Sequence, residues 1–193
     1  MINHAAVQPT PRATHVGKVS AALMLSSAAL CLQTVQAAGP ALYVQYGAGR
    51  HSVNSWNLGI NLPWRNWQYV LWGGIVAGHW DVWAGRWHAP LHGSHRNTWV
   101  IGTSPVLRWQ GGSSPWFAQA GLGVSWATNQ LHASDRKRFS TRYNFASHIG
   151  AGRAFGAQRQ HEWLLRLEHH SNADIKRPNP GEDFLQLRYA YRF

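Results

Sequence analysis

Two stretches near the C-terminus decide how this chain folds: Trp163-Leu164-Leu165-Arg166-Leu167-Glu168-His169-His170-Ser171 and Asp183-Phe184-Leu185-Gln186-Leu187-Arg188-Tyr189-Ala190-Tyr191-Arg192-Phe193. In the first, Trp163, Leu165, Leu167, His169 and Ser171 alternate with Leu164, Arg166, Glu168 and His170. In the second, Asp183, Leu185, Leu187, Tyr189, Tyr191 and Phe193 share one face, while Glu182, Gln186, Arg188 and Arg192 fall on the other. Successive side chains of a strand point to opposite faces, so this period of two predicts two strands, each with one greasy and one polar side. Three residues break the greasy side: His169, Ser171 and Asp183.

The same alternation recurs upstream. Trp56, Leu58, Ile60 and Leu62 oppose Ser55, Asn57, Gly59 and Asn61, and Trp116, Ala118, Ala120, Leu122, Val124 and Trp126 oppose Gln119, Gly121, Gly123 and Ser125. Tyr143, Phe145, Ile149, Ala151 and Phe155 likewise oppose Asn144 and His148. Eight strands follow, at 41–49, 54–62, 69–83, 97–109, 115–127, 143–155, 162–172 and 183–193; the third is poorly phased. Turns are expected at Pro63-Trp64-Arg65-Asn66, at Gln110 to Ser114 and at Gly156 to Gln160, with longer connections at 84–96, 128–142 and 173–182. Short turns at one end and long loops at the other are the pattern of outer-membrane barrels. The fold class is therefore all-β, an eight-stranded antiparallel transmembrane β-barrel whose interior is packed with side chains rather than open as a pore.

Composition agrees. All 12 Trp lie beyond residue 37, beside 6 Tyr in the chain, and indole and phenol rings gather at the two membrane–water interfaces. No stretch after residue 37 approaches the ~20 apolar residues of a spanning helix. Residues 1–37 are expected to be a secretory signal peptide: Arg12 and Lys18 precede an apolar run from Val19 to Leu32, and Val35-Gln36-Ala37 is a small-residue cleavage site. The mature domain is then 38–193. Cys31, the only cysteine, falls in the leader, so the mature chain has no disulfide. Its charge is 16 basic against 7 acidic residues, a net +9. Such an excess seeks a polyanion, and for an exported chain that is the phosphorylated lipopolysaccharide surface of the bacterial outer membrane rather than nucleic acid.

On this topology Ser171 ends an outgoing strand and Asp183 begins the returning one. If the hairpin pairs Ser171 with Asp183, the two are direct neighbours and His169 lies diagonal to Asp183. The imidazole could take the Ser171 proton while the carboxylate orients its other nitrogen, the division of labour of acyl-transfer triads. Asn172 offers amide donors for an oxyanion.

The run Glu168-His169-His170-Ser171-Asn172-Ala173, followed by Lys176-Arg177-Pro178-Asn179-Pro180-Gly181-Glu182-Asp183 and a final aromatic strand, resembles the PagL family of lipid A 3-O-deacylases. The resemblance is specific over about 25 residues from Glu168 and weaker over the whole barrel. It implies an eight-stranded outer-membrane barrel with a lipid-facing site that hydrolyses the ester-linked 3-hydroxyacyl chain at position 3 of lipid A. It makes Ser171 the nucleophile, His169 the base and Asn172 a contributor to the oxyanion hole. The family's acid is typically Glu, whereas ungapped alignment places Asp183 there. Glu182 is the alternative, reached if a bulge at Gly181 reverses the facing.

Other features carry less chemistry. His88, His92 and His95 have ligand-like spacing but no neighbouring Cys or nearby acid in sequence, so no metal site is assigned. His170 points inward beside Glu168. Arg136, Lys137 and Arg138 occupy an external loop and are candidates for substrate phosphate contact. Nothing calls for a metal or organic cofactor, and a homodimer is one arrangement that the sequence allows. A non-enzymatic structural or adhesive barrel would explain strands, aromatics and charge, but not the three outward polar residues. A lipid A acyltransferase would use the same activated acyl group.

Overall fold

The computed structural model describes residues 39–92 and 94–193. The expected leader, 1–37, lies outside the described residues. Eight strands close into an antiparallel barrel: β1 (Ala41–Gly49), β2 (Asn54–Leu71), β3 (Gly74–Leu91), β4 (Ser94–Gly111), β5 (Trp116–Ala127), β8 (Tyr143–Phe155), β9 (His161–Ser171) and β10 (Glu182–Arg192). Each pairs with its neighbours in sequence order, and β10 pairs with β1 to complete the ring. The 128–142 connection carries a separate two-stranded hairpin, β6 (His132–Ser134) with β7 (Lys137–Arg138).

The predicted strands at 41–49, 115–127, 143–155, 162–172 and 183–193 are found within a residue or two, but the second, third and fourth need correction. The expected turn at Pro63-Trp64-Arg65-Asn66 is a bulge inside β2, where the register to β3 shifts between Pro63 and Gln68. A strand tolerates Pro at such an interruption because no ladder hydrogen bond is asked of it. The true turn is Trp72-Gly73, between the Leu71–Gly74 pair, with φ of 49° and 68°. Both central residues are left-handed, as a two-residue hairpin turn requires for its twist to match the strands. The poor phase of the predicted third strand arises because 69–83 joined the end of β2 to the start of β3. At the other end, 84–96 is almost all strand, with Leu91 paired to Ser94.

Burial is inverted relative to a water-soluble protein. Leu58, Leu122, Ile149 and Leu167 are 59–68% exposed, whereas Gln45, Asp81, Glu168, Gln186, Arg166 and Arg188 are at most 3% exposed inside. Lipid covers the first set. The interior charges are paired across the lumen: Asp81 of β3 accepts from Arg188 of β10 at 2.8 Å and from Arg166 of β9 at 3.2 Å, and from the Tyr43 hydroxyl of β1. Arg166 also donates to Glu168 at 2.7 Å and Arg188 to Gln45 at 2.8 Å. These bonds join opposite walls and pair Arg166 and Arg188 with Asp81 and Glu168.

Removing the shared carboxylate should therefore leave two buried guanidinium groups short of their partner. Asp81→Asn is expected to destabilise the folded barrel by about 3–5 kcal/mol, read as a lower urea midpoint for the loss of its heat-modifiable gel mobility.

Candidate active site

Period two fixes which way each side chain of the β9–β10 hairpin points. His169 and Asp183 face outward with 48% and 52% of their side chains exposed, and His170 and Glu182 face inward, 3% exposed each. The register is displaced from that expected: Asp183 pairs directly with His169, and Glu182 with His170, whereas Ser171 pairs with Phe145 of β8. The acid and imidazole are thus the direct cross-strand neighbours, and Ser171 is the diagonal member. His169 Nδ1 lies 2.7 Å from Asp183 Oδ1. A carboxylate is acceptor only, so Nδ1 carries the proton in that bond and the neutral ring keeps Nε2 as a base.

Gly181 sits one place beyond the Glu182–His170 pair, across from Ser171, with φ +61°. A Cβ there would lie 3.1 Å from His169 Cε1 and 3.7 Å from Nε2. The Cε1–Nε2 edge of the ring therefore lies against Gly181. Glycine is needed twice at this position, for the left-handed backbone and for the close approach of the imidazole.

Asn172 is brought to the site but not with its amide offered outward. It is fully buried, and the two N–H donors of its Nδ2 are shared among Lys176 O at 2.7 Å, Ser140 Oγ at 3.0 Å and Thr141 Oγ1 at 3.2 Å. Its backbone N–H donates to Asn179 Oδ1 at 3.0 Å. These bonds fasten the turn after Ser171 to the 128–142 loop. Glu182 accepts the backbone N–H of Arg50 at 2.6 Å, and no bulge turns it outward. Arg50 was invisible to the strand pattern because it lies in the β1–β2 connection; its Nη2 is 3.4 Å from Asp183 Oδ2.

The remaining candidates lie elsewhere. Arg136 and Arg138 are exposed and Lys137 half-buried on the β6–β7 hairpin. His88 is on β3 and its Nδ1 lies 2.9 Å from Asn97 Oδ1, and the His95 side chain lies outside the described set. No group of metal-ligating residues occurs among the described residues. His92 does have an acid, supplied by another loop: Asp135 accepts its ring Nδ1 and its backbone N–H, the latter at 3.0 Å. An apolar concavity of about 1120 Å³ crosses the outward faces of Leu58, Ile60, Val82, Ile101 and Val124, away from His169. It is a dent in the lipid-facing wall where inward Gly59 and Gly102 lie against the rings of Tyr43 and Trp83.

Hydrogen bonding to Asp135, then its charge, raises the His92 pKa above the ordinary value, and His92 holds Asp135 below the carboxylate range. The link between the β3–β4 and β6–β7 hairpins is then strongest at mildly acid pH and is lost as pH rises through the raised His92 value. An NMR titration should place the His92 midpoint above ~6.5, the ordinary histidine value, and Asp135→Asn should return it there.

The family model for lipid A 3-O-deacylase (PagL) matches residues 32–192. The chain is similar to the lipid A deacylase PagL of Bordetella bronchiseptica, 33% identical over 131 residues, covering 64% of this chain and 71% of the relative. It is also similar to the lipid A deacylase PagL of Pseudomonas aeruginosa, 29% identical over 143 residues, covering 74% and 80%. The crystal structure of the outer membrane enzyme PagL superposes with a TM-score of 0.68 at 24% identity, covering 79% of this chain and 99% of that one. With the closed eight-stranded barrel and a family match over most of its length, the chain belongs to the PagL family of lipid A 3-O-deacylases, ester hydrolases of the outer membrane.

Proposed function

We propose that the chain hydrolyses the ester-linked 3-hydroxyacyl chain at position 3 of lipid A in the outer leaflet, with Ser171 as nucleophile, His169 as general base and Asp183 as the acid of the triad. The observation that carries this reading is the 2.7 Å contact between His169 Nδ1 and Asp183 Oδ1 on the lipid-facing wall, two residues from Ser171. Lipid A moves laterally in the membrane and cannot enter a lumen filled with paired charges. A site on the outer wall meets it directly.

In the first step His169 Nε2 takes the Ser171 Oγ proton as Oγ bonds to the ester carbonyl carbon. Asp183 stabilises the imidazolium that results. Collapse of the tetrahedral adduct breaks the bond to the sugar oxygen, which leaves with the proton from His169. Water, deprotonated by His169, then attacks the acyl-serine and releases the 3-hydroxy fatty acid. Asn172 serves the oxyanion indirectly, by holding the turn that follows Ser171. Arg136, Lys137 and Arg138 offer positive charge to substrate phosphate.

Ser171→Ala and His169→Ala should each lower hydrolysis by at least about 10⁴-fold with the barrel assembled. Asp183→Asn should cost about 10³–10⁴-fold, whereas Glu182→Gln, which can still accept the Arg50 N–H, should stay within about fivefold of wild type, the scale of one altered hydrogen bond. Mass spectrometry of lipid A and of released fatty acid, at matched outer-membrane levels, measures all four. The reverse order for the two acids, or acyl transfer to another lipid in place of free 3-hydroxy fatty acid, would defeat the assignment. Gly181→Ala should lower the rate about ten- to a hundredfold by displacing His169, in the same assay.

A further inference from the structure

The carboxylate of Asp183 is half exposed. Its Oδ1 alone touches His169. The terminal torsion of an aspartate is broad, so a carboxyl held at one oxygen swings and the imidazole swings with it. The other oxygen, Oδ2, is 3.4 Å from Arg50 Nη2.

Arg50 is itself built into place. Its backbone N–H is held by Glu182 Oε1 at 2.6 Å, and its carbonyl accepts the Val53 N–H at 3.1 Å. The preceding Gly49 lies so close that an added Cβ would stand 2.7 Å from Glu182 Oε1. Adjacent acids of β10 thus hold one arginine, Glu182 by its main chain from inside and Asp183 by its side chain from outside. A guanidinium suits this role because it is planar, always charged and carries five donors.

We propose that Arg50 is a positioning residue of the active site: its guanidinium fixes Oδ2 of Asp183 so that Oδ1 remains on His169 Nδ1. The proposal rests on the triad assigned above. It gives the exposed β1–β2 connection a part in the reaction and gives Glu182 a part that is not the acid's.

The test uses the full-length barrel in detergent micelles, with bis-phosphorylated lipid A and the same lipid after phosphate removal as substrates. Arg50→Ala is expected to lower kcat on both by roughly two- to fivefold, the scale of one solvent-exposed ion pair, with KM unchanged. Arg50→Lys should recover most of kcat and Arg50→Gln should not. All three should keep the heat-modifiable gel mobility of wild type, which separates a lost contact from a lost fold. Unchanged kcat in Arg50→Ala would overturn the proposal. So would a loss confined to KM on the phosphorylated substrate, which would make Arg50 a phosphate contact. Ser171→Ala runs alongside: activity retained there defeats the triad itself, whereas Ser171-dependent activity indifferent to Arg50 defeats only the positioning role.

Discussion

Inside a bilayer an unpaired backbone N–H or C=O costs several kcal/mol, because no water is present to receive it. Everything else in this molecule follows from satisfying that condition with strands. The pairing of β10 with β1 removes the last free edge, and a closed ring of eight has a narrow interior and a single outer wall. Once register is set, a period of two sorts every residue into one or the other. Basic side chains that face the lumen, Arg166 and Arg188 among them, find carboxylates and amides there. Those on the outer wall meet hydrocarbon or headgroups, where a polar side chain without a partner is expensive.

His169 and Asp183 stand on that wall as partners, which is why the wall tolerates them. Their mutual bond stabilises two groups that would otherwise disrupt the apolar face, and in the proposed reaction it is the bond that orients the imidazole as base. The interior network has a different task. Asp81, Arg166, Arg188 and Glu168 hold opposite walls at a fixed separation, so the β9–β10 hairpin sits on a rigid support.

Much of this was legible in the sequence where alternation is clean. β9 and β10 announced both their direction and their three misplaced polar residues. The β2–β3 hairpin misled because turn chemistry and turn position separated: Pro63 to Asn66 has the composition of a turn but forms a bulge, while Trp72-Gly73 makes the turn with a bulky residue in a left-handed conformation. The register of the β9–β10 hairpin was displaced by two residues, which preserves facing and so leaves the pattern intact; only the pairing partner of Asp183 changes. Alternation turns Asn172 inward with Glu168 and His170, but its bonds to the 128–142 loop, the His92–Asp135 bond and the approach of Arg50 join segments distant in sequence, and no periodicity records them.

The contact between Arg50 and Asp183 spans the seam between the first and last strands of the ring. The His169–Asp183 contact belongs to one hairpin and needs only β9 and β10 to meet. Arg50 reaches Asp183 only when β1 has docked on β10, the event that seals the cylinder. The arrangement of charges at the outer wall is therefore completed by closure itself, so that a chain in transit carries the proposed triad without its finished surroundings and acquires them together with its place in the membrane.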